Sequence, residues 1–177
     1  MEKKEGYKMK YMEIKNYDIA NGDGVRVSLF VSGCTHRCKG CFNEVAWDFH
    51  SGQDFTKETA GYLLRICNPQ HISGLSLLGG EPFEPINQRG LLPLLKEFKK
   101  RYPQKNVWCY TGYTYEIDIL RSDGKAHCEV TDELLTYIDI MVDGEFVEDL
   151  KDISLAFRGS SNQRILNIHN TSELPTI

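Results

Sequence analysis

Apolar and polar residues follow one another along the chain in a pattern that predicts strands and helices in turn. The polar residues 1–10 are expected to form a disordered extension, and residues 11–177 a single domain. Residues 21–24, Asn-Gly-Asp-Gly, suit a tight turn between extended segments at 12–19 and 25–32. The start of the domain is therefore predicted to be an N-terminal hairpin.

The rest of the chain predicts helices that alternate with buried strands. Thr56 can cap a helix whose apolar residues recur at 60, 63, 64 and 67. A second helix is expected from about Asn87, and Pro93 predicts that its regular part starts late or kinks. The other predicted elements are strands at 75–78, 107–110 and 138–142 and helical segments near 115–121 and 132–137. This order predicts an α/β fold with a mostly parallel sheet.

Distinctive residues follow four of the predicted strands. They are Cys34, Gly79-Gly80-Glu81, Thr111-Gly112 and Asp143-Gly144. The carboxyl ends of parallel strands lie at one edge of a sheet, and ligands bind there because the loops converge on one crevice. We therefore expect these residues to line a common site.

Composition and charge argue against several classes of protein. With 177 residues, of which 41% are hydrophobic, the chain is long enough for one domain with a sizeable core. A net charge of -4 gives no basic surface for nucleic acid. The amino terminus lacks the apolar segment of a secretory signal, and no apolar stretch is long enough to span a bilayer. We expect a cytoplasmic protein with neither a nucleic-acid nor a membrane partner, whose cysteines favour ligand or core roles over disulfides.

Cys34, Cys38 and Cys41 are the strongest candidates for chemistry. Their spacing lets one short loop wrap an iron-sulfur cluster, and three thiolates leave one iron of a four-iron cluster open for a substrate or cofactor. Zinc is the alternative, with His36 or His50 as a further ligand, although the sequence has no second ligand pair at zinc spacing. The remaining cysteines are interpreted as core or surface residues: Cys67, Cys109 and Cys128.

The motif Cys34-x-x-x-Cys38-x-x-Cys41, with Gly79-Gly80-Glu81-Pro82 after it, resembles the radical S-adenosylmethionine superfamily. The resemblance implies a partial, open parallel β/α barrel and a 4Fe-4S cluster on the three cysteines. It also implies that the open iron is chelated by the amino and carboxylate groups of S-adenosylmethionine.

The same resemblance implies further contacts to that cofactor. The segment Gly79-Gly80-Glu81 would contact the amino group, since glycines allow close backbone approach and Glu81 offers an acceptor. Many members have an aromatic residue just before the third cysteine; this chain has Gly40 there and Phe42 after it, and both are candidates for the adenine contact. Thr111 and Asp143 would contact the ribose or methionine, or serve only as turn residues.

Longer segments are similar to one branch of the superfamily, the activating proteins of anaerobic ribonucleoside-triphosphate reductase. These segments are 23–34, 41–43, 108–114, 143–146 and 157–164. The branch implies reductive cleavage of S-adenosylmethionine to a 5′-deoxyadenosyl radical, which generates a glycyl radical on the large reductase subunit. A flavodoxin- or ferredoxin-type protein would be the electron donor.

Two other functions remain open from the sequence. One is activation of another glycyl-radical enzyme such as pyruvate formate-lyase. The other is a noncatalytic iron-sulfur or zinc module, which requires a fourth protein ligand. Segment 158–164 is rich in hydrogen-bond donors and would hold a carboxylate, dock the reductase or form a solvated loop, but neither Arg158 nor Arg164 is interpreted as catalytic.

Overall fold

The computed structural model describes residues 8–170 and 172–173, and these form a mixed sheet with helices. Within them the sheet has eight strands in the spatial order β3-β1-β2-β4-β5-β6-β7-β8. The strands are β1 (Lys10–Asp18), β2 (Val25–Val31), β3 (Gln53–Asp54), β4 (Ile72–Gly79), β5 (Asn106–Tyr110), β6 (Ile140–Asp143), β7 (Arg164–Asn167) and β8 (Ser172–Glu173). Residues 1–7 of the predicted extension lie outside the described residues, whereas Met9 is buried and Lys10 begins β1.

The four central strands, β2, β4, β5 and β6, run parallel, and the strands on either side of them are antiparallel. This arrangement confirms the α/β class and the parallel core. The predicted N-terminal hairpin is also confirmed, since β1 pairs with β2 in antiparallel register. Among the described strands β3 and β8 form the two ends of the sheet and do not pair with each other, so the sheet is open.

Three α-helices connect the strands: α1 (Lys57–Ile66), α2 (Pro85–Arg101) and α3 (Thr131–Leu135). Thr56 caps α1 as predicted, and its side chain accepts a hydrogen bond from the Thr59 amide at 3.2 Å. Of the two effects predicted for Pro93, the late start is wrong, because α2 already begins at Pro85, whose fixed φ favours the first turn of a helix, and the kink stays a prediction. Pro93 lies on the exposed side of α2, where water can satisfy the carbonyl that loses its donor.

Shorter helical segments complete the connections. They are 3-10 turns at Glu44–Trp47 and Glu148–Leu150 and a π-helical turn at Tyr115–Ile119. No helix in the described ranges, 8–170 and 172–173, has the length and apolar character needed to cross a membrane.

Strand periodicity gives the sheet two different faces. Val27, Leu29, Leu75 and Leu77 point to one face and belong to the buried core that includes the apolar residues of the helices. On the opposite face Phe30 pairs in register with Leu78, and Tyr110 pairs with Val142, near the carboxyl ends of the strands. This second face forms the floor of the cavity described below.

Arg26 joins the hairpin to the central strands on that second face. It is fully buried and donates to the Ser76 hydroxyl at 2.7 Å, and to the Leu75 and Asn106 carbonyls at 3.0 and 3.2 Å. Its guanidinium also lies 5.7 Å from the Trp108 ring centroid. Burial lowers the pKa of Arg26 to about 10, so the group remains charged at neutral pH.

Gly74 allows β4 and β5 to approach each other, and its substitution tests this packing. A Cβ at Gly74 would overlap the Asn106 carbonyl and crowd the Arg26 guanidinium. Gly74→Ala should therefore destabilise the fold by about 2–3 kcal/mol in denaturant unfolding. Gly61→Ala is the matched control: Gly61 is exposed in α1 with open space around it, and alanine there should stabilise by about 0.5–1 kcal/mol. Equal stability of Gly74→Ala and the wild type would contradict the packing.

Candidate active site

A cavity of about 290 Å³ opens at the carboxyl ends of the parallel strands. Its walls come from the cysteine loop after β2, from the ends of β4, β5 and β6, and from the segment before β7. The predicted site residues that line it are Cys34, Cys38, Cys41, Phe42, Gly79, Gly80, Glu81 and Thr111. Gly40 and Asp143 are the two predicted site residues outside this lining. The structure thus brings most of the predicted residues into one crevice.

Backbone hydrogen bonds tie the start of the cysteine loop to the 3-10 turn that follows it. Gly33 N donates to the Ala46 carbonyl at 2.7 Å, and Cys34 N donates to the Trp47 carbonyl at 3.1 Å. Within the loop, Cys41 N donates to the Cys38 carbonyl at 3.2 Å. These bonds fold the segment into a compact turn that presents all three thiols to the same cavity.

Glu81 has a larger structural role than the sequence predicted. It is 1% exposed, and its Oε1 accepts from the Phe83 amide and the Thr111 hydroxyl, both at 2.8 Å. Its Oε2 accepts from the Gly112 amide at 2.8 Å and from His36 Nε2 at 3.0 Å. The carboxylate therefore connects the cysteine loop to the ends of β4 and β5, and its contact with a ligand amino group stays a prediction.

His36 is the member of the cysteine loop that contacts Glu81. Burial lowers the pKa of His36, but the hydrogen bond and the negative charge of Glu81 outweigh burial, so that the pKa is raised overall. The ring also packs against Tyr113, with centroids 4.3 Å apart. His36 is thus engaged with Glu81, which does not favour its predicted alternative role as a zinc ligand.

The two glycines at the end of β4 are required by the protein backbone itself. Gly79 has a φ of +111°, and a Cβ there would lie 2.6 Å from the Val31 amide nitrogen. A Cβ at Gly80 would lie 2.5 Å from the Gly33 carbonyl oxygen. The pair lets the turn after β4 pack directly on the start of the cysteine loop. Both residues line the cavity, and their contact with a ligand stays a prediction.

Thr111 and Asp143 are both engaged in hydrogen bonds within the protein. The Thr111 hydroxyl donates to Glu81, as described above. Asp143 is 1% exposed and accepts from the Tyr115 amide at 2.9 Å and from Arg164 Nη2 at 2.6 Å. Thr111 thereby joins the end of β5 to the turn after β4, and Asp143 joins the end of β6 to the segment after β5 and to β7. Contact of either residue with the ribose or methionine of a ligand stays a prediction.

Comparison with known proteins identifies the family. Residues 20–166 match the family model described as a 4Fe-4S single cluster domain. The anaerobic ribonucleoside-triphosphate reductase-activating protein of Pasteurella multocida is 41% identical over 159 residues, which cover 89% of this chain and 96% of that protein. The protein of the same name from Escherichia coli K12 is 43% identical over 157 residues, which cover 88% of this chain and 96% of that protein. The one from Enterobacteria phage T4 is 39% identical over 157 residues, which cover 89% of this chain and 93% of that protein.

This chain belongs to the family of anaerobic ribonucleoside-triphosphate reductase-activating proteins. The family model that matches residues 20–166 describes a domain with a single 4Fe-4S cluster.

The donor set fits a cluster held by three cysteines. Each sulfur has a backbone N–H donor: His36 and Arg37 for Cys34, Phe146 for Cys38, and Asn43 for Cys41 at 3.4 Å. Such hydrogen bonds help to set the potential of iron-sulfur clusters. Within residues 8–170 and 172–173 no three His, Cys, Asp or Glu side chains are arranged to hold a single metal ion. A cluster is larger than an ion, so its ligands do not converge on one point.

Two thiols of this family member, those of Cys34 and Cys38, hold their protons before any cluster binds. Burial raises the pKa of Cys34 to about 12, and the charge of Glu81 contributes to this rise. Burial also raises the pKa of Cys38 to about 11, with Glu145 3.6 Å from its sulfur. Cluster binding must therefore displace protons at neutral pH.

The other three cysteines lie away from the cavity. Cys67 and Cys109 are buried in the hydrophobic core, as predicted, and Cys128 is half-buried beside α3. All six cysteines are free thiols. The cavity lining described here therefore contains only the three motif cysteines.

Three residues of the cavity lining carry an unpaired polar group, and the sequence had marked one of them, Arg158, as part of a candidate carboxylate-binding segment. Trp47 Nε1, Tyr110 Oη and Arg158 Nε are buried and have no hydrogen-bond partner among the described residues. Buried groups of this kind normally have a partner, so their presence favours a polar ligand in the cavity. Tyr110 had a sequence signal, since it directly precedes Thr111 at a strand end, whereas the 3-10 turn that carries Trp47 had none.

The contact between His36 and Glu81 predicts a titration in the cluster-free chain. In the wild type, His36 should titrate above the ordinary histidine value, whereas in Glu81→Gln the remaining burial should bring its pKa below the wild-type value. Because the folded pKa is raised, the associated stability is present below pH of about 6.5 and is lost as pH rises through the folded pKa.

NMR titration of the histidine ring protons measures this shift directly. His71, at the opposite end of β4 from Glu81, is the internal control, and its ring signals should be the same in both proteins. An identical His36 pKa in wild type and Glu81→Gln would refute the assignment.

Proposed function

We propose that this chain is a radical S-adenosylmethionine enzyme that generates a glycyl radical on the large subunit of anaerobic ribonucleoside-triphosphate reductase. The observation that carries the proposal is one cavity that joins three cysteine thiols to the glycine turn after β4, in a chain of the activating-protein family. When bound, the reduced cluster would supply the electron that cleaves S-adenosylmethionine to methionine and a 5′-deoxyadenosyl radical, which abstracts hydrogen from the glycine.

The chain's own residues have distinct parts in this proposal. Cys34, Cys38 and Cys41 hold the cluster after losing their protons. Glu81 fixes the cysteine loop relative to β4 and β5, so that the glycine turn keeps its position beside the thiols. Apolar side chains along the cavity, including Phe30, Leu78, Val142, Phe146 and Phe157, exclude water from a reactive intermediate.

A partial β/α barrel of the radical S-adenosylmethionine type is part of the proposal. Four parallel strands with the cavity at their carboxyl ends support it, as does the open sheet, which leaves room for a segment of the reductase. Residues 11–177 would then form the single catalytic domain. Phe42 lines the cavity with a side chain that is 87% exposed and is available to the adenine, whereas Gly40 lies against Glu148.

Under the proposed function, the protein acts in the cytoplasm with a separate protein as its electron donor. A flavodoxin- or ferredoxin-type protein would reduce the cluster, because this chemistry needs a low-potential electron. The cytoplasm is the compartment that suits a site built on free thiols, since thiols stay reduced there.

Serine substitution of single cysteines tests which residues hold the cluster. After anaerobic reconstitution, the wild type should bind about four irons with an equal amount of sulfide and cleave S-adenosylmethionine when reduced. A required thiolate is missing in each of the variants Cys34→Ser, Cys38→Ser and Cys41→Ser. Each variant should therefore lose the stable cluster and roughly 90% or more of the S-adenosylmethionine cleavage activity.

Cys128→Ser is the matched control, since Cys128 is a half-buried thiol outside the cavity lining. It should keep both the cluster and the activity. Binding of one zinc without sulfide, or equal loss of the cluster in Cys128→Ser, would overturn the three-cysteine assignment.

Pairing with candidate substrates tests the proposed partner. The reduced, cluster-loaded chain should produce a glycyl-radical signal, measured by electron paramagnetic resonance, on the large subunit of anaerobic ribonucleoside-triphosphate reductase. Pyruvate formate-lyase is the control and should remain without a radical. A radical on pyruvate formate-lyase but not on the reductase would instead support the alternative activator.

A further inference from the structure

Arg158 is a cation in the cavity wall that the proposed function does not yet use. It is the one Arg or Lys side chain among the described residues that line the cavity. Its Nη1 donates to the Gln163 carbonyl at 3.0 Å, whereas its Nε is buried and has no hydrogen-bond partner within the described part of the chain. A donor of a charged group is thus left without a partner beside the cavity.

Within the described residues, Arg158 forms no ion pair that would neutralise this charge. The positive charge of Arg158 contributes to the lowered pKa of Asp152, but the Asp152 carboxylate is exposed and accepts hydrogen bonds from Ser154. Arg164, in the same segment, contrasts with it because Asp143 and Glu116 both pair with that side chain. A partly buried guanidinium without a carboxylate is stabilised by an anionic ligand.

The segment that carries Arg158 is held in place before any ligand binds. Gln163 Oε1 accepts from the Gly159 and Ser160 amides at 2.8 and 3.1 Å, and Gln163 Nε2 donates to the Gly144 carbonyl at 2.9 Å. Phe157 adopts a φ of +57°, and its ring packs edge-on against Trp108 with centroids 5.3 Å apart. Surrounding contacts maintain such a backbone conformation, which is often found at binding sites.

The other charged side chains of the lining leave Arg158 without an opposite charge. They are Glu81 and His36, which bond to each other at 3.0 Å. Both oxygens of Glu81 are in addition occupied by backbone and hydroxyl donors. Among the side chains of the cavity no negative charge is therefore left for Arg158, and a guanidinium is best matched by a planar carboxylate.

We propose that Arg158 binds the carboxylate of the methionine part of S-adenosylmethionine. This inference rests on the proposed function, because it takes S-adenosylmethionine as the ligand of the cavity. Arg158 is then a binding residue for the cofactor, and the segment 157–163 is a carboxylate subsite that orients the methionine end.

A comparison of two ligands isolates this contact. Dissociation constants are measured by calorimetry on protein loaded with the oxidised cluster, so that binding occurs without cleavage. The ligands are S-adenosylmethionine and its decarboxylated form, which keeps the sulfonium, the amine and the adenosine. The proteins are wild type, Arg158→Met, Arg158→Lys and the control Arg121→Met, whose arginine pairs with Asp123 on the surface.

Arg158→Met should weaken binding of S-adenosylmethionine by about 10- to 100-fold, the range expected for a hydrogen bond to a charged group. It should change binding of the decarboxylated ligand by less than about 3-fold, because the partner of the guanidinium is already missing. Arg158→Lys should recover part of the affinity, since it keeps the charge but not the planar donors. Arg121→Met should bind both ligands as the wild type does.

Two results would overturn the inference while leaving the proposed function intact. One is wild-type affinity of Arg158→Met for S-adenosylmethionine. The other is an equal loss for both ligands in Arg158→Met and Arg158→Lys at normal cluster content, which is expected of a residue that only supports the loop. Failure of the cluster-loaded wild type to bind S-adenosylmethionine would contradict the proposed function itself and the inference with it.

Discussion

The carboxylate of Glu81 is buried between three parts of the chain that are distant in sequence. Its oxygens accept from His36 in the cysteine loop, from Thr111 and Gly112 after β5, and from Phe83 in its own turn. A buried carboxylate needs such donors, because an unpaired charge in the interior is strongly destabilising. The hydrogen bonds that satisfy this requirement also fix the thiols relative to the glycine turn. Folding and site assembly are therefore linked through one side chain.

The sheet separates stability from chemistry by its two faces. One face is apolar and packs against the helices, which supplies most of the hydrophobic stabilisation. The other face carries the buried Arg26 near the amino ends of the strands and the cavity near their carboxyl ends. Backbone carbonyls surround Arg26, whereas Arg158 at the cavity has a free Nε donor. This difference explains why we assign a structural role to the first arginine and a ligand role to the second.

Much of this arrangement was predictable from the sequence, because it depends on local patterns. The hairpin turn, the Thr56 cap and the placement of chemistry after parallel strands all follow from residues close together in the chain. The hydrogen bonds of Glu81 and Asp143 were not predictable, since their partners come from other elements and sequence periodicity does not report on them. The unpaired Nε of Arg158 likewise appears only when the cavity is assembled.

The central claim is that the cluster held by the three cysteines keeps one iron for S-adenosylmethionine. Electron-nuclear double resonance on the reduced cluster, with S-adenosylmethionine labelled with nitrogen-15 at the amine and oxygen-17 at the carboxylate, tests it most directly. The account predicts isotropic hyperfine coupling of both labels to the cluster, as expected for atoms bonded directly to iron. Absence of both couplings, together with a signal from a fourth protein ligand, would contradict it.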